Sequence, residues 1–170
     1  MEITSAQAVT AAVLAVSMGT AAAVDVARRR IPNALSLATG VAGVALAAAG
    51  VTGISIWSSL AGFVIGLAFM LPGHVLGATG AGDVKLFDAA GTVLGAAQTC
   101  QAFLLVAIAG GLFALAFAVS RGRLVRTVAH TAQLVGRPGA MRARIEQPEE
   151  NNRFPYGPAI AVGCVLAAVI

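Results

Sequence analysis

Charge is what this sequence has least of. Of its 170 residues, 11% are Asp, Glu, Lys or Arg and 58% are hydrophobic, whereas ordinary soluble domains carry about 25% charge. From Ile31 to Gly82 there is no Asp, Glu, Lys or Arg at all. A water-soluble core cannot account for that composition, and an integral membrane protein is the natural reading. Aromatic residues are also scarce, at 5%, against 20 glycines. Small side chains let helices approach closely in lipid, where no hydrophobic drive pulls them together. Cysteine is limited to Cys100 and Cys164 with no CxxC pattern, so neither a disulfide framework nor a zinc motif is indicated. His74 and His130 stand without Cys or carboxylate at ligand spacing, so neither a metal nor a cofactor is expected. The opening "MEITSAQAVTAAVLAVSMGTAAAV" lacks the basic start of a signal peptide. It reads instead as a first span entering with its N-terminus outside. The net charge of +4 sits on no folded soluble region, which argues against a nucleic-acid partner.

What is present is a series of apolar runs. Six candidate spans lie at roughly 5–24, 34–51, 54–76, 84–99, 101–120 and 156–170. "GVTGI", 50–54, is a tight turn, and "AAQTCQ", 96–101, is the least apolar point of a long run and the expected break between the fourth and fifth spans. The fold class is therefore all-α, a polytopic membrane bundle of about six helices, forming a single domain over 1–170. With six spans, the segments 26–33, 77–85 and 121–155 share one side of the membrane, and they hold all 11 basic residues. Basic loops stay cytoplasmic, which places both termini outside. Within 121–155, "RLVRTVAHTAQLV" suits either a helix on the cytoplasmic leaflet or a solvated loop.

Against this background the carboxylates stand out, because an acid at membrane depth is costly and functional by default. Asp25 ends the first span just before "VARRRIPN", and Asp83 opens the fourth after "GATGAG". Both fall at the cytoplasmic end of their helices. Taken alone, Asp25 also suits a pair with Arg28, and Asp83 a helix-capping acid. Together, at matched depth on different helices, they suit acid–base hydrolysis. Like charges in a low-dielectric site do not both ionise, so one carboxylate activates water while the other, protonated, donates to a carbonyl. Gly77, Gly80 and Gly82 are expected to supply backbone conformations closed to other residues. Irregular backbone at that depth is tolerated where it lines a wet cavity. Asp88 is expected to be structural, paired with Lys85 three positions earlier. An alternative for the same carboxylates is a small proton- or cation-coupled transporter using Asp25 and Asp83.

The motifs resemble those of the type IV prepilin peptidases, membrane aspartic proteases of the GxGD kind. "GAGDVKL", with Gly80, Gly82 and Asp83, is similar to the family's glycine–aspartate signature. "DVARRRIPN", from Asp25, resembles the segment that carries the other catalytic aspartate, and "FPYGPAIAVG", 154–163, the opening of the last helix. The resemblance implies a prepilin leader peptidase in the cytoplasmic (inner) membrane, with Asp25 and Asp83 catalytic and Gly80 and Gly82 shaping the site. Its substrate would be the helix of a prepilin or pseudopilin, cut at the cytoplasmic face, usually after a glycine. The short chain resembles the compact members serving tight-adherence, or Flp-type, pili. Larger members carry a cytoplasmic N-terminal region with cysteine pairs and also methylate the new pilin terminus. No such region precedes the first span here, so methyl transfer is not expected.

Overall fold

The computed structural model describes residues 4–77, 79–120 and 156–170. They form five helices: α1 (Ser5–Arg28), α2 (Asn33–Ala48), α3 (Ile56–Val75), α4 (Ala81–Ser120) and α5 (Gly157–Val169). Among the described residues there is no strand. The amphipathic helix considered for 123–135 lies outside the described residues.

Local signals set the helix ends. Thr4 and Gln7 form a reciprocal capping box at the start of α1, which satisfies amides that the first turn leaves unpaired. α1 stops at Arg29 in a left-handed conformation (φ 51°), and Pro32 follows, whose missing N–H prevents α1 from running on into α2. Ser55 caps α3 by accepting the Ser58 N–H. α5 begins at Gly157–Pro158, where a proline costs no helical hydrogen bond.

The fourth helix departs from the expected pattern. The chain breaks at Gly95 rather than within 96–101, with φ 78° and ψ 175°, a conformation open in practice only to glycine. The two limbs of α4 then double back on each other. Phe87 and Phe103 would stand about 24 Å apart along an unbroken helix at about 1.5 Å per residue, yet their ring centroids are 6.2 Å apart. Where lipid offers no hydrogen bonds, the backbone groups freed by such a break need internal partners. Ser58 Oγ accepts the Ala96 N–H at 3.2 Å, and Thr99 Oγ1 donates to Gly95 O at 2.7 Å.

Around this hairpin the other helices pack through small residues. α3 crosses the first limb so closely at Gly62 and Gly91 that a β-carbon on either would land on the other's backbone. Ser59 Oγ clips the same crossing by donating to Thr92 O at 2.7 Å. α2 lies against the first limb through Gly40 and Gly43, and α5 against the second limb through Gly163. Phe87, Leu14, Met18, Leu86, Leu94 and Ile160 fill the interior, while Trp57, Val16, Leu37 and Leu112 are exposed. An apolar exterior around a close-packed interior is what a bilayer selects. Three stretches, Ser5–Arg28, Ile56–Val75 and Ala81–Ala116, are long and apolar enough to cross one, the last counted across its break at Gly95.

This arrangement gives the bundle two distinct ends. Thr4, Thr52, Ser58, Leu94, Gln98 and Ala168 line a cavity of about 350 Å³ at one of them. The end of α1 and the starts of α4 and α5 meet at the other.

Candidate functional site

Asp25 lies in the last turn of α1 and is 7% exposed. Its Oδ2 accepts the backbone N–H of Gly157 at 3.0 Å. The first amides of a helix have no intrahelical acceptor and carry the positive end of its dipole, so α5 aims a natural carboxylate ligand at Asp25. Gly157 has to be glycine for this contact. A β-carbon there would come within 2.9 Å of Asp25 Oδ2 and 3.2 Å of its Cγ. The partner found for Asp25 Oδ2 is this amide rather than Arg28.

Asp83 occupies the first turn of α4 and is half-buried. Its Oδ2 accepts the Gly80 N–H at 3.1 Å. Two contacts bring the start of α4 to the link between α1 and α2. A β-carbon on Gly82 would sit 3.3 Å from Ile31, and Lys85 Nζ donates to Asn33 Oδ1 at 3.2 Å. These contacts set Asp83 at the same end of the bundle as Asp25. Tyr156 precedes Gly157 at the start of α5. The Tyr156 ring is seated on Gly110 of the second limb of α4, where any side chain would displace it. Three helices thus bring Asp25, Asp83, Tyr156 and Gly157 to one end of the bundle.

Two expectations need correction. Of the three glycines before Asp83, only Gly77 has a positive φ, 78°. Gly80 serves as an amide donor and Gly82 gives clearance for Ile31, so room rather than backbone freedom explains them. Asp88 does not pair with Lys85. Lys85 is exposed and reaches Asn33 across to α2, while Asp88 turns inward, 3% exposed, against Gly66 of α3. Its Oδ1 is buried without a hydrogen-bond partner. Spacing along one helix allows an i,i+3 pair, but the neighbouring helices decide which way each side chain points.

The sequence alone does not mark Gly157 or Tyr156 as site residues, although both lie within "FPYGPAIAVG". The usable signal was a Gly-Pro helix start that leaves free amides at the same end of the bundle as Asp25.

A close-packed helical bundle with an apolar exterior and two acids gathered at one end defines a membrane protein. The chain matches the type IV leader peptidase family over residues 12–115, well over half its length, and belongs to that family. It is accordingly a peptidase. The matched stretch contains Asp25 and Asp83 and stops short of α5. No curated protein and no solved structure matches the chain.

Proposed function

We propose that the protein is an aspartic endopeptidase that removes the leader peptides of type IV prepilins at the cytoplasmic face of the membrane, with Asp25 and Asp83 as its catalytic pair. Flp-type pilins are the substrate class that the sequence resemblance favours. The observation that supports this reading is the gathering of two carboxylates from separate helices at one end of the bundle, each held by one backbone N–H.

The chemistry follows from that arrangement. Two adjacent carboxylates in a partly dry site share a proton, because ionising both is unfavourable. The ionised member takes a proton from water, and the oxygen of that water attacks the scissile carbonyl. The protonated member donates to the carbonyl oxygen as negative charge develops there. Collapse of the tetrahedral intermediate breaks the C–N bond, and a carboxyl proton passes to the leaving amine. The amides of Gly157 and Gly80 fix the direction of each carboxylate, which matters because small displacements from reactive geometry are costly. The substrate's apolar helix lies in the bilayer beside the enzyme, and its basic leader stays in the cytoplasm.

The Gly157–Asp25 contact supplies one test. Gly157→Ala is expected to push the Asp25 side chain aside and lower cleavage of a model prepilin about 10²-fold, while leaving the yield of monodisperse protein near wild type. Unchanged cleavage would mean that Asp25 does not need this amide.

Membrane orientation supplies another. The basic residues of 26–33, 77–85 and 121–155 support a cytoplasmic location for those segments and an outside location for both termini. A reporter fused after Arg137 should score cytoplasmic, and one fused near Thr52 external. The opposite result at position 137 would remove both aspartates from the cytoplasmic face.

A further inference from the structure

His74, in the last turn of α3, is outside the catalytic pair, yet it is bonded to the loop that carries Gly80. Its Nδ1 lies 3.1 Å from the backbone oxygen of Thr79. A carbonyl oxygen only accepts, so Nδ1 carries the hydrogen of this bond. The Thr79 N–H is also held, donating to Gly73 O at 3.3 Å. Consecutive residues of α3 therefore grip Thr79 by both of its backbone polar groups.

The consequence lies in the peptide unit itself. The Thr79 carbonyl and the Gly80 N–H belong to one planar amide and point in opposite directions. His74 holds the oxygen of that plane, and Asp83 Oδ2 accepts from its nitrogen at 3.1 Å. Rotating the plane to release Asp83 breaks the His74 bond as well. Donation to the carbonyl also polarises the amide and strengthens the N–H as a donor.

We propose that His74 is a positioning residue for Asp83, acting through the Thr79–Gly80 peptide to fix the direction of the carboxylate. The inference rests on the reading of Asp83 as a catalytic group. His74 is exposed, so replacing it disturbs no core packing and its effect on folding is small.

The test uses purified full-length protein in liposomes with a model prepilin. His74→Phe keeps a ring of similar size without a donor, and is expected to lower kcat about 10- to 100-fold with KM near wild type. His74→Asn places its amide nitrogen where Nδ1 lay, and should restore kcat to within a few-fold of wild type. A purely structural role would not distinguish Phe from Asn in this way. If His74→Phe gives no folded protein, His74→Leu carries the same comparison with Asn. Wild-type kcat in the Phe or Leu variant, equal impairment of Asn and Phe, or an effect confined to KM would overturn the proposal. An Asp83→Asn protein that still cleaves would overturn the catalytic assignment and this inference together. An inactive Asp83→Asn protein beside a fully active His74→Phe would overturn this inference alone.

Discussion

Replacing Asp83 or Asp25 with Asn should leave prepilin unprocessed in cell membranes, with cleavage falling about 10²- to 10⁴-fold, the span that general acid–base groups contribute. Asn keeps the size and can still accept a backbone N–H, so the Gly80 and Gly157 contacts have a partner in each variant. What disappears is the titrating group. If the two acids act as a unit, as proposed, the double variant should be little worse than either single one. Asp88→Asn serves as the internal control. Asp88 is buried against Gly66 of α3 with an unpartnered oxygen, and its replacement should retain most activity. Detergent-extracted yield and monodispersity separate loss of chemistry from loss of fold. Equal loss in all three variants would mean that Asp88 belongs to the reacting centre.

The largest effect on stability is expected at the crossing of α3 and α4. Gly62→Val should cost about 3 kcal/mol or more, the upper range for overpacking, and should appear as a collapse in extractable, monodisperse protein. A β-carbon at Gly62 lands on the backbone of Gly91, and backbone cannot rotate away as a side chain can. The helices must separate, breaking the Ser59–Thr92 bond and opening the joint where Ser58 covers the Ala96 amide. Gly19→Ala and Gly111→Ala make the comparison fair, since a β-carbon at either meets nothing within 4 Å. Those variants should stay within about 0.5 kcal/mol of wild type. Normal yield for Gly62→Val would mean that α3 and the first limb of α4 do not meet backbone to backbone at Gly62 and Gly91.

The helices were legible because their signal is local. Long apolar runs, the turn at 50–54 and the proline-containing opening of the last helix at 154–163 mark them in the chain itself. Polarity in the sequence points to a break in α4 at 96–101, whereas the backbone turns at Gly95 and the polar residues Gln98 to Gln101 simply continue the helix. Glycine conformation, not hydropathy, makes that joint. Asp25 and Asp83 were conspicuous because nothing charged separates Ile31 from Gly82. Their surroundings were much less so. The amide that meets Asp25 comes from Gly157, far along the chain, and only packing brings it there. The same limit explains Lys85, whose neighbour Asp88 was visible in sequence while its actual partner, Asn33, lies on another helix.

The most direct measurement is made with purified protein in liposomes, a synthetic prepilin and the intact masses of the products. Wild-type protein should convert the prepilin into a basic leader ending in glycine and a mature chain beginning at the apolar helix. Folded Asp25→Asn and Asp83→Asn proteins should leave it whole. A folded wild-type protein that leaves the prepilin intact, or Asn variants that yield the same two fragments, would contradict a hydrolytic site built from Asp25 and Asp83.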